Sequence, residues 1–281
     1  MSRFDLGGKT VVITGASGGI GGAAAMSFAR RGAKLVLSGR NREALEAVAG
    51  RVKAAGAEAH IVPADVTNSD EMVSLVQSAI ELTGGLHVMW LGAGYGVLGD
   101  VSNITLETWH RQMDINFWGV LHGFYAALPH FIAQRSGQFL IINSIAGKLA
   151  MPLNSPYCAS KAALWAFADS SRAELKRKNI DLISIYPNFT KTRFQANIVS
   201  PDHKIPGDIS WKLHGQTPEK VAECAVRACE KRKGEVVFTL NGNIAVRLAP
   251  LSYNISEAIR RISLPLITKI MGGGKAEKIK I

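Results

Sequence analysis

The chain has 281 residues, 47% hydrophobic and 20% charged, a globular composition that can bury a substantial core and is neither disordered nor fibrous. Its net charge is +11, yet no basic stripe is interleaved with aromatics, so no nucleic-acid partner is expected. Cys158, Cys224 and Cys229 make no disulfide framework and suit a reducing, cytoplasmic setting, and the seven scattered histidines show no metal-ligand spacing, so no metal is expected.

The opening MSRFDLGGKTVVITG has no apolar h-region, so no signal peptide is expected. No stretch reaches the roughly 18–20 uncharged apolar residues of a spanning helix. Short Val/Ile/Leu-rich runs then recur: TVVITG (10–15), KLVLSG (34–39), AHIVPADV (59–66), LHVMWLGAG (86–94), GQFLIINS (137–144), DLISIYP (181–187) and EVVFTL (235–240). They are continuous rather than alternating, as strands buried on both faces of a parallel sheet are. Helical patterns lie between them near 19–31, 41–55, 68–83, 105–134, 156–178 and 217–232, with Gly32 placed to end the first and Thr217-Pro218-Glu219 to start the last. This alternation predicts one doubly wound α/β domain of about seven parallel strands over 1–243, with right-handed crossovers. Residues 188–216 carry Phe189, Phe194 and Trp211 without periodicity and read as a substrate loop. Residues 244–281 read as a mostly helical, amphipathic extension whose seven Lys/Arg against two Glu give a net +5.

TGASGGIG (14–21) stands directly after the first strand and opens the first helix. Glycines there let the backbone turn tightly against a pyrophosphate, and the helix N-terminus offers N–H groups to it. Farther on, SPYCASKAAL (155–164) sets Tyr157 and Lys161 four apart, on one helix face. An ammonium beside a phenol favours the phenolate, which suits acid/base work near neutral pH.

With TGASGGIG, Asp65-Val66, Asn116 in DINFWG, Ser144 in INSIAG, YCASK and YPNFTKT (186–192) in this order, residues 8–240 resemble the short-chain dehydrogenase/reductase family. The resemblance implies a Rossmann-type fold. It also implies an oxidoreductase that interconverts a ketone and a secondary alcohol, with the cofactor carrying the hydride. By the same resemblance Tyr157 is the general acid/base. Lys161 lowers its pKa and holds the nicotinamide ribose, Ser144 bonds the carbonyl, and Asn116 holds a water reaching Lys161. Cofactor contacts are expected from Gly15, Ser17, Gly19, Ile20, Gly21, Arg40, Asp65, Val66, Gly92, Ala93, Gly94, Tyr157, Lys161, Pro187, Thr190 and Thr192. Where NAD-preferring members carry an acidic residue, this chain has Gly39 followed by Arg40, which accommodates a 2′-phosphate, so NADP(H) is expected.

Several positions depart from the family pattern. LGAG (91–94) replaces NNAG and loses both amides, a change of structural support; His87 replaces an Asp or Asn and is expected in a solvated turn; Asn188 replaces the glycine of PG. Tyr95, Val97, Leu98, Met151, Leu153, Phe189, Phe194 and Trp211 are the candidate pocket residues, and their apolar character suits a lipid, steroid or acyl-type substrate. The long helices 105–134 and 156–178 resemble those through which family members form dimers and tetramers. For the basic tail, peripheral contact with an anionic membrane, a subunit interface and the active-site mouth all remain open. The alternative function is a non-catalytic nucleotide-binding regulator or scaffold on the same fold.

Overall fold

A computed structural model describes residues 3–192, 194, 198–201 and 215–238. The extension over 244–281, Trp211, and the end of the last apolar run lie outside the described residues.

Seven strands form one parallel sheet: β1 (Thr10–Thr14), β2 (Lys34–Ser38), β3 (Ala59–Ile61), β4 (Val88–Leu91), β5 (Gly137–Ile142), β6 (Ile180–Tyr186) and β7 (Glu235–Val237). Their spatial order is β3-β2-β1-β4-β5-β6-β7. The chain winds outward from β1 through β2 to β3, then returns to β4 on the other side of β1. That reversal opens a crevice at the carboxyl ends of β1 and β4, where doubly wound sheets bind ligands. Every residue of β1, β4 and β6 is buried, which accounts for their unbroken apolar runs. The run at 59–66 yields only three strand residues: Val62 N–H still donates to Leu37 O at 3.1 Å, but Pro63 has no N–H with which to continue the ladder.

Helices cover both faces. On one side lie α1 (Gly19–Ala29), α2 (Arg42–Ala54) and, after the substrate loop, α7 (Pro218–Glu230); on the other lie α3 (Ser69–Thr83), α5 (Gly119–Ala133) and α6 (Ser155–Lys176). The caps act locally, with Asn41, Asn68 and Thr217 side chains accepting backbone N–H groups of the first turn, and Gly32 ending α1 at φ +73°. The pattern over 105–134 divides into α4 (Leu106–Met113), a π-helical turn (Asp114–Trp118) and α5. A π turn carries one extra residue, and such insertions concentrate at functional sites; this one contains Asn116. Leu91 occupies the core facing Gly123, so the loss of its amide is absorbed by apolar packing.

The structure corrects the expectation for His87. It is half-buried, and its Nδ1 accepts the Thr10 N–H at 3.1 Å, so the imidazole fastens the start of β1 to the start of β4. Burial first, and then Lys9 and His130, hold its pKa below the usual histidine value. The neutral ring is the one the fold uses: Nδ1 accepts only when unprotonated. The unfolded chain therefore binds more protons near pH 6, and stability falls as pH drops through about 6.5. Replacing His87 with Asn keeps an acceptor without a titration. Melting temperatures measured from pH 8 to pH 5 should fall less for the variant than for the parent; parallel curves would refute the assignment.

Candidate active site

A cleft of about 650 Å³ opens at the carboxyl ends of β1 and β4, lined at one end by Ser17, Arg40 and Asp65 and at the other by Ser144, Tyr157 and Phe194. The glycine turn forms its floor. Gly15 has φ +70°, and a Cβ there would sit 2.8 Å from Gly92 O, so only glycine serves. The first turn of α1 has no side-chain cap and no acidic residue, leaving its N–H groups and positive dipole end open to an anion. Thr192 faces this turn closely enough that a Cβ on Gly19 would meet its Cγ2 at 2.6 Å, so the 187–192 segment crosses the same part of the cleft. Ile20, Gly21, Val66, Ala93, Gly94, Pro187 and Thr190 border it as expected. Asn188 also lines the cleft and is not in the left-handed region, so no glycine is required there. Its Oδ1 accepts the Phe189 N–H at 2.8 Å, bracing the loop.

At the far end, Ser144 caps a 3-10 turn, Ile145–Gly147, with its Oγ accepting the Ala146 N–H. Gly147 lets that turn lie against α6, since a Cβ on it would stand 2.7 Å from Lys161 C. This contact brings Ser144 and Tyr157 to the same end of the cleft. Lys161 is buried beside them, its Nζ donating to Ile142 O at 2.8 Å. Burial pushes the Tyr157 phenol up to about 12, with the nearby Ser144 hydroxyl opposing it, and pushes Lys161 down to about 8. The expected lowering of the phenol by Lys161 is therefore not what the geometry shows. The ammonium lies 5.8 Å from the ring centroid and is aimed at a backbone carbonyl, while removal from water dominates at the hydroxyl.

Asn116 is fully buried and its amide is spent on the protein: Oδ1 accepts the Tyr95 N–H at 3.0 Å, and Nδ2 donates to Tyr95 O at 2.9 Å and to Ser160 Oγ at 3.3 Å. The side chain stands behind the cleft wall and clamps the strand end that carries Gly94 and Tyr95. Of the candidate pocket residues, Tyr95, Val97, Leu98, Met151, Phe189 and Phe194 line the cleft. Leu153 does not. Its φ of +62° sends its carbonyl to Gly99 N–H at 2.8 Å, and its neighbours Met151, Pro152 and Asn154 take the wall instead. Residues 198–201 strap this end, with Val199 N–H donating to Gly96 O and Leu98 N–H to Val199 O, both at 3.0 Å, which brings Ile198 into the wall. Ile198 and Trp90 were missed: one sits in a loop without periodicity, and the other reads as strand core.

The family model described as short chain dehydrogenase matches residues 9–203, more than half of the chain. The chain belongs to the short-chain dehydrogenase family. It is 36% identical over 225 residues to an oxidoreductase of Listeria monocytogenes, covering 79% of this chain and 91% of that one. It is 33% identical over 253 residues to dehydrogenase/reductase SDR family member 7B of Xenopus tropicalis, covering 87% and 82%. Among solved structures, a short-chain dehydrogenase/reductase from Burkholderia phymatum in complex with NAD superposes with a TM-score of 0.80 at 25% identity, over 90% of this chain and 96% of that one. An NAD+-bound xylitol dehydrogenase gives 0.71, also at 25% identity, over 79% and 92%. The fold and the oxidoreductase family are thus established. Among the described residues no helix is long and apolar enough to cross a membrane.

Proposed function

We propose that this short-chain dehydrogenase interconverts a hydrophobic ketone and a secondary alcohol with NADP(H). The carrying observation is that Ser144 and Tyr157 share the end of the cleft opposite Arg40, with Lys161 buried behind them. The residues present fit the dinucleotide: a glycine cradle that no Cβ can enter, an uncapped helix N-terminus for the diphosphate, and Asp65 and Val66 for the adenosine end. When bound, the cofactor supplies the hydride. The protein's part is proton chemistry and orientation. A Tyr157 phenol held protonated well above neutral pH is a proton donor for the developing alkoxide, and Ser144 Oγ shares that oxygen through a second hydrogen bond. A Lys161 with a pKa of about 8 keeps most of its charge at neutral pH, where it favours the phenolate that forms as the proton leaves.

Support for a hydrophobic substrate comes from Val97, Leu98, Met151, Phe189, Phe194 and Ile198 around the reacting end, with the Phe194 ring 5.9 Å from that of Tyr157. Support for self-association comes from exposed aromatics on the π turn and α5, where Trp118 is 50% and Tyr125 59% exposed. The cofactor preference rests on Gly39 and Arg40. A Cβ on Gly39 would meet Ser17 Oγ at 3.5 Å, an ordinary contact, so the backbone tolerates a side chain, and its absence leaves this corner of the cleft, which Ser17 and Arg40 also line, open to a phosphate.

Titration with NADPH and NADH tests the preference directly. The parent should favour NADPH, and Gly39→Asp should weaken NADPH by about 10–100-fold while leaving NADH little changed, because it trades a charge-assisted contact for repulsion. Equal affinities in the parent would overturn the NADP(H) assignment alone. Tight binding without turnover of any hydrophobic ketone would favour the non-catalytic reading.

A further inference from the structure

Trp90, on β4, is 0% exposed and packs edge-on against Phe28 at 6.1 Å between ring centroids. By burial alone it is core. Its indole Nε1–H, however, has no hydrogen-bond partner among the described residues although the atom is buried. A buried donor left unmade is costly, so nearly all such groups are paired with protein or with something bound. The indole borders the same cleft as the glycine turn.

Where that nitrogen points is settled by its neighbour. A Cβ built on Gly92 would collide with Trp90 Nε1, and would lie 2.9 Å from its Cδ1 and 3.1 Å from Thr14 O. The indole N–H therefore occupies the volume in which a side chain at position 92 would begin. The missing side chain at Gly92 and the large one at Trp90 are two halves of one arrangement. Thr14 locks both in place: its Oγ1 donates to Trp90 O at 3.2 Å and accepts the Gly92 N–H at 3.1 Å. This happens at the last turn of β4, beside Gly15, at the reversal point of the sheet.

We propose that Trp90 is a cofactor-binding residue, its Nε1–H donating to a hydroxyl or phosphate oxygen of the bound dinucleotide in place of an amide side chain at position 92. The proposal rests on the dinucleotide reading above. It recasts LGAG: the donor is not lost from this corner of the cleft but is delivered from two residues earlier on the strand.

The test is calorimetric titration with NADPH, and with ADP, on the full chain. Trp90→Phe keeps a ring against Phe28 and removes the donor. Its dissociation constant for NADPH should rise about 3–10-fold, the usual worth of one neutral hydrogen bond. A penalty that persists with ADP places the acceptor in the adenosine half, and one seen only with NADPH places it in the nicotinamide half. Because Trp90→Phe leaves some space unfilled, a second comparison is independent of it. Trp90→Val should bind weakly, and Trp90→Val with Gly92→Asn should regain affinity to within about 2-fold of the parent, since the amide re-enters the vacated volume. An unchanged constant for Trp90→Phe, or no gain on adding Gly92→Asn, overturns the proposal. A parent that binds neither NADPH nor NADH overturns the dinucleotide reading itself.

Discussion

Replacing Tyr157 with phenylalanine should lower turnover of a ketone substrate by roughly 10²–10⁴-fold, the usual contribution of a positioned general acid. Phenylalanine keeps the ring, its place on α6 and its approach to Phe194, and removes only the hydroxyl. Ser144 Oγ retains the Ala146 N–H, so the fold around it should be little affected. The dissociation constant for NADPH should stay within about 3-fold, because the glycine turn and the α1 N-terminus are untouched. Single-turnover rates and binding titrations on the same preparation separate these effects. Turnover near the parental rate would remove Tyr157 from the proton-donor role.

A larger structural effect is expected at Gly21. A Cβ there would collide with Gly15 O, and would stand 2.9 Å from Gly15 C and 3.0 Å from Ala16 Cα. All three are backbone atoms of the turn that cradles the diphosphate, so no flexible side chain can yield. Overpacking of this kind costs about 1–3 kcal/mol. Gly21→Ala should therefore lower the melting temperature by several degrees, roughly 2–4 °C per kcal/mol. Displacing the turn should also weaken NADPH by at least about 10-fold. Gly50→Ala is the contrast. That glycine is exposed within α2 with nothing within 4 Å of a Cβ, so the same chemical change should stabilise by about 0.5–1 kcal/mol. Thermal melts of both variants check the pair, and a stabilised Gly21→Ala would contradict the close approach on which the cradle depends.

Much of this protein is local, and what is local is legible in the chain. Unbroken apolar runs announced strands buried on both faces, and β1, β4 and β6 are buried throughout. The glycine turn between β1 and α1 was visible because its constraint, backbone passing within contact of backbone, admits one residue type. The four-residue spacing of Tyr157 and Lys161 needed only helix geometry, and α6 runs from Ser155 to Lys176.

What the sequence did not show shares a different cause. His87 looked like a turn residue because its hydrogen-bond partner, Thr10, is 77 residues away. The amide of Asn116 is claimed by Tyr95 and Ser160, partners that only the packing of the π turn against α6 and the segment after β4 brings within reach. Leu153 leaves the cleft through a positive φ that no pattern encodes, while Ile198 enters it through a strap formed between distant loops. The phenol of Tyr157 rises rather than falls because its pKa answers to burial, which is summed over the whole fold. By itself, then, the chain determined the sheet, its glycine cradle and the residue types of the catalytic end, since backbone sterics and short-range periodicity act within a few residues. Tertiary structure alone decided which donors are satisfied, which side chains face the cleft and how each titrates. Hydrogen bonding and desolvation depend on distances between segments that the sequence keeps far apart.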